Sequence, residues 1–173
     1  MKKQTLQQQL IAGHEAYATY VLSLSERDFN FALPEKWNAG QHLKHILISV
    51  TMLNKAIDNP KFIASLAERE PKRAAMNYNE LVSFYMSKIN EGAKATPPFV
   101  PDLVTINERA QLVKDVQTTI AELCVKLNAY TEKELDTLTI PHPLLKRLSL
   151  REMIYFTIKH AEHHYELTKQ YIQ

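Results

Sequence analysis

Glycine is scarce in this chain, cysteine scarcer still, and no apolar run approaches the length of a membrane span. The 173 residues include 3 glycines, 8 prolines and 1 cysteine. A single cysteine, Cys124, excludes an internal disulfide and makes a reducing compartment the expectation. The opening MKKQTLQQQL turns polar after two lysines and lacks the apolar core of a secretory signal. The cytoplasm is the expected location, and no membrane partner is expected. An excess of one charge is also missing. The 21 basic and 19 acidic side chains leave a formal charge of +2, with no sustained basic block. That argues against nucleic acid as the main partner, because phosphate binding needs clustered Lys and Arg. What remains, 45% hydrophobic and 23% charged residues, is the make-up of an ordinary globular protein. One domain over 1–173 with its own core is the expectation.

The few prolines fall in groups. Pro34, Pro60, Pro71, Pro97, Pro98, Pro101, Pro141 and Pro143 leave long proline-free segments at roughly 1–33, 35–59, 72–96 and 102–140, and another from 144 onward. Proline breaks helix interiors, so this is the layout of long helices joined by proline-marked loops. Start signals coincide with it. Asn38 with Gln41, Asn77 with Glu80, Thr105 with Glu108, and Ser149 with Glu152 each set a capping side chain three residues before Glu or Gln. Apolar residues then recur at helical period: Leu10, Tyr17, Val21 and Leu24; Leu43, Leu47, Val50 and Ile57; Leu81, Tyr85 and Ile89; Leu112, Val116, Ile120, Leu123 and Leu127; Leu150, Ile154, Ala161, Tyr165 and Ile172. No segment alternates convincingly enough for a strand. The fold expected is all-α: a bundle of four main helices, with short accessory helices between 60 and 91. The stretch 59–78 mixes charges with few apolar anchors and reads as mobile; 95–104, ATPPFVPDLV, reads as a stiff connector across one end of the bundle.

Seven histidines stand out, three of them in HAEHHYEL at 160–167. On a wheel of the last helix with Leu150 at zero, His164 falls near about 320°, inside the apolar arc, and His160 near about 280°, at its edge. His163, at about 220°, lies off the stripe and reads as a bystander. His160 and His164 therefore form an i, i+4 pair one turn apart on the inward side. Such a pair can offer two imidazole nitrogens to one divalent ion, provided another helix supplies a third ligand; the alternative is a pair of hydrogen-bonded packing residues. On the second helix the wheel favours His42, close to the apolar stripe, over His45 on a secondary flank. His14 lies on the stripe of the first helix, and His142 sits between two prolines in IPHPLL.

Two stretches carry a resemblance. LPEKWNAGQHLKHI, at 33–46, resembles the first signature of the DinB-like family, in which a ligand histidine follows a Trp by eight residues. HPLLKRLSLREMIYFTIKHAEHHYEL, at 142–167, resembles the signature of its last helix, with His-Pro, a capped start, an aromatic turn and H-x3-H. The resemblance implies a four-helix bundle binding a divalent ion, Zn or Ni, through three histidines from two helices. Residue by residue these are His45, His160 and His164, against the preference of the wheel for His42.

Some members of that family use low-molecular-weight thiols as co-substrates. The expectation that follows is a metal-dependent transferase, in which the ion activates a small thiol for attack on an electrophilic small molecule. The alternatives are a metal-dependent hydrolase acting through water, and a non-enzymatic, stress-related bundle with structural metal or none. His142 and His14 are the candidates for proton handling or for support of the ligands, and Tyr155 and Tyr165 for lining the pocket. Cys124, on a core stripe, reads as packing rather than nucleophile. The resemblance also implies a homodimer, with Ile48 on the polar side of its helix as a contact.

Overall fold

The computed structural model describes residues 1–59, 61, 63 and 74–172. The reading of 59–78 as a mobile stretch falls mostly outside the described residues. Four long helices carry the fold: α1 (Lys3–Ser23), α3 (Ala39–Ala56), α5 (Arg109–Leu127) and α7 (Leu150–Ile172). Shorter α2 (Glu26–Asn30), α4 (Tyr78–Asn90) and α6 (Glu132–Thr137) sit between them, and a 3₁₀ turn, Ile106–Glu108, leads into α5. α1 and α3 each pack against both α5 and α7, while α4 and α6 lie against α7 from outside. The helical bundle expected from the sequence is the main architecture observed, with one short β-hairpin added to it. None of its described helices is long and apolar enough to cross a membrane.

The helical stripes become the core. Leu6, Leu10, Tyr17, Ala18 and Val21 of α1 are fully buried, as are Leu43 of α3 and Leu123 of α5. Burial of this kind, at about 25 cal/mol per Å² of apolar surface, is the main force holding the bundle together. Capping fixes where the helices begin. Asn38 accepts from the Gln41 amide at 2.7 Å while Gln41 returns to the Asn38 amide at 3.1 Å. Asn77 with Glu80, and Ser149 with Glu152, reciprocate in the same way. At Thr105 the Glu108 carboxylate accepts from both the amide and the hydroxyl of Thr105, each at 2.9 Å.

Three features depart from the sequence reading. A two-stranded antiparallel hairpin, β1 (Thr139–His142) and β2 (Lys146–Ser149), pairs Thr139 with Ser149 and His142 with Lys146. Strands of four residues, one of them interrupted by Pro141, are too short to show an alternating period. The first proline-free segment is two helices rather than one, because Ser25 caps a new start by accepting from the Asp28 amide at 3.1 Å. The 102–140 segment is split likewise, by a Thr131–Glu134 cap that opens α6.

One close approach ties the start of α3 to the 95–104 segment. A Cβ on Gly40 would lie 2.6 Å from Phe29 Cζ and 2.9 Å from Val104 Cβ. Phe29 and Val104 are themselves buried, so neither can swing aside freely. Asn38 Nδ2 donates to the Val104 carbonyl at 3.1 Å and fastens the same junction. Gly40→Ala is therefore expected to lower stability by about 1–3 kcal/mol. Gly13→Ala, in the interior of α1 with open space around its Cβ, is expected to raise it by about 0.5–1 kcal/mol. Urea midpoints of the two variants moving in the same direction would contradict this packing.

Candidate metal centre

Helix α7 presents His160 and His164 on one face, and α3 brings His45 to meet them. His45 Nε2 lies 3.0 Å from His160 Nε2, and His164 Nε2 lies 3.1 Å from the same atom. All three side chains are buried, at 6%, 6% and 7% exposure, so water does not screen one ring from another. Among the described residues these three form the one group of His, Cys, Asp or Glu side chains close enough to share an ion.

The surroundings fix the rings. His45 Nδ1 lies 2.6 Å from the Phe99 carbonyl. A carbonyl only accepts, so Nδ1 carries the proton and Nε2 turns a bare lone pair toward the other two rings. Phe99 belongs to ATPPFVPDLV, which is therefore more than a connector: it holds the most distant member of the cluster. The indole of Trp37 covers the group, with ring centroids 5.5 Å from His42, 5.0 Å from His45 and 6.1 Å from His164. From the other side Phe156 stacks on His160 at 4.7 Å, and Tyr85 of α4 meets the same ring edge-on at 6.2 Å.

Burial keeps the rings neutral. It is the largest cause of the lowered pKa of His45, partly offset by the Phe99 hydrogen bond. It holds His160 and His164 well below the usual imidazole range, with neighbouring histidines adding to the effect. Neutral imidazole is the form that ligates metals. Two nitrogens about 3 Å apart also match what one ion at about 2.0–2.1 Å from each requires at close to a right angle. The donor set thus suits a divalent ion in protonation state, and its three ligand atoms all lie within 4.8 Å of one another.

The other histidines are placed as follows. His42 is buried and sits 2.8 Å, Nδ1 to Nδ1, from His164. His163, read from the wheel as a bystander, is half-buried, with its ring 5.8 Å from Tyr85 and 5.4 Å from His164. It stays outside the three-histidine group, and its partial burial comes from α4, which covers a side of α7 that an isolated helix would leave in water. His14 and His142 stand outside the cluster. His14 Nδ1 donates to the Leu10 carbonyl at 2.7 Å. His142 Nδ1 accepts from the Leu144 and Leu145 amides at 3.1 and 3.0 Å, closing the hairpin turn, and its ring lies 4.3 Å from Phe156. Tyr155 binds the N-terminal amine at 2.9 Å, and Tyr165 stacks on Tyr17 at 5.4 Å. Cys124 is buried, its thiol directed at the Gln7 carbonyl and its pKa pushed up by burial.

Fold and cluster together define a predominantly helical bundle built around a buried three-histidine group compatible with a divalent ion. The sequence profile of the DinB superfamily matches residues 9–168, a span that contains all three histidines, and the chain belongs to that superfamily. No curated protein and no solved structure matches the chain.

Proposed function

We propose that this protein is a metal-dependent transferase that joins a low-molecular-weight thiol to an electrophilic small molecule, with His45, His160 and His164 as the ligands of a divalent ion. The observation that supports the reading most is the character of the donor set: three neutral imidazoles face one another, with no carboxylate among them. An ion held by such a set keeps its positive charge, and Zn or Ni suits imidazole, so it would lower the pKa of a thiol brought to it.

The residues of the chain supply the rest. Phe99 holds His45 in the tautomer that leaves Nε2 as a donor. Trp37, Phe156 and Tyr85 wall the rings with aromatic surface, which limits water around a bound anion. Cys124, the one cysteine of the chain, points at a carbonyl of α1 and is not part of the three-histidine group. An attacking group from solution fits this arrangement, and a small thiol is the choice that matches the superfamily resemblance.

The test is conjugation of small thiols to an electrophilic chromogenic substrate by zinc- or nickel-loaded protein. Turnover that requires both metal and thiol, and is lost in His45→Ala, is the expected result. Turnover that proceeds equally without thiol would move the reading to hydrolysis.

A further inference from the structure

Just outside the cluster a fourth imidazole meets one of its members. His42 Nδ1 lies 2.8 Å from His164 Nδ1, and both rings are buried. Trp37 and Tyr171 pack around His42, with ring centroids 5.5 and 5.7 Å away. Two ring nitrogens at that separation hold one proton between them, because two lone pairs repel and two N–H groups collide. Which ring supplies the proton decides what His164 presents on its other side.

If His42 supplies it, a neutral His164 carries its own proton on Nε2. That hydrogen then points at His160 Nε2, 3.1 Å away, into the space between the three rings. If His164 supplies it, its Nε2 lone pair faces that space, as the Nε2 of His45 already does. His42 then keeps its own proton on Nε2, an atom that is buried and has no hydrogen-bond partner among the described residues. A buried N–H without a partner weakens the fold. A ring present only for packing would gain nothing by carrying one.

We propose that His42 is a positioning residue: its Nδ1 accepts the Nδ1 proton of His164 and so fixes the tautomer and ring orientation with which His164 binds a divalent ion. The inference rests on the metal reading given above. It assigns a purpose to the one inward histidine of α3 that is not in the three-histidine group. Outer partners of this kind orient a ligand and raise its basicity, and their loss costs about 10–100-fold in metal affinity.

The experiment measures zinc affinity of the full chain, stripped and reloaded, by competition with a chromophoric chelator, beside the Tm of the metal-free form. His42→Leu is expected to bind zinc about 10–100-fold more weakly. Its metal-free Tm should stay level or rise, since the orphaned N–H is gone. His42→Asn, whose Oδ1 stands close to the position of Nδ1 and accepts in its place, should recover most of the affinity. Equal affinity in wild type and His42→Leu would overturn the proposal. So would an equal loss in both variants matched by a fall in metal-free Tm, which is the behaviour of a packing residue. Nitrogen-15 spectra of zinc-loaded wild type give a check that needs no variant: His42 protonated on Nε2 and His164 on Nδ1 support the assignment, and the reverse pattern overturns it. Failure of wild type to take up zinc is a distinct outcome, overturning the metal reading and this inference with it.

Discussion

His160→Ala is expected to abolish stoichiometric binding of a divalent ion while leaving the bundle folded. His160 is the hub of the cluster, with its Nε2 at 3.0 Å from His45 and 3.1 Å from His164. The other two rings are joined through it, so its loss leaves one ligand on each of two helices. The fall in affinity should exceed the roughly 10–100-fold that an outer partner is worth. Folding should survive, because alanine is the best helix former and the site lies mid-way along α7. Elemental analysis of wild type and variant, with circular dichroism as the check on folding, measures both halves of the expectation. A variant that keeps one equivalent of metal would show that the ion sits elsewhere.

The second large effect is acid sensitivity of the metal-free protein. His14, His42 and His142 are each lowered by burial from 6.5 to about 4. In the unfolded chain the same groups protonate near 6.5, so between pH 6.5 and 4 the unfolded state binds more protons than the folded one. Stability is therefore complete above pH 6.5, is lost as pH falls through that window, and loses nothing further from these groups below about 4. One unit of pKa difference is about 1.4 kcal/mol, so His14 alone contributes roughly 3 kcal/mol of this dependence. Three such residues together are comparable with the about 5–15 kcal/mol that holds a domain of this kind. The chelated protein should accordingly unfold before pH 4, and His14→Leu should move the midpoint to lower pH. An acid midpoint that the variant leaves unchanged would show that His14 is not the buried neutral ring described.

How much of this was written legibly in the chain depends on whether the signal was local. The long helices were legible because each buries a stripe at helical period, and the Asn38, Asn77 and Ser149 starts because the two members of a capping pair stand only three positions apart. His160 and His164 were legible for the same reason, being two residues of one helix face. The hairpin was not, because four-residue strands carry too few positions for a period. His45 illustrates the limit best. α3 is packed on two sides, against α5 and α7, so its apolar stripe marks one face and its site residues lie on another. The wheel preferred His42; the family resemblance pointed to His45. The structure turns both inward, His45 to His160 and His42 to the far side of His164. The contributions of Phe99 and Tyr85 arise only from contacts between distant segments, and no pattern along the sequence announces them.

Gly40 shows that a scarce residue can carry information of this non-local kind. Its missing Cβ allows Phe29 and Val104 to close over the start of α3, and Val104 ends the segment whose Phe99 carbonyl holds His45. Core packing and site geometry are thus one construction at this end of the bundle.

X-ray absorption at the zinc edge of the reloaded full chain tests the central claim most directly. Three imidazole nitrogens at about 2.0–2.1 Å from a single ion, with any remaining positions taken by light scatterers, is the result predicted. A sulfur neighbour from the protein, or fewer than three imidazoles, would contradict it.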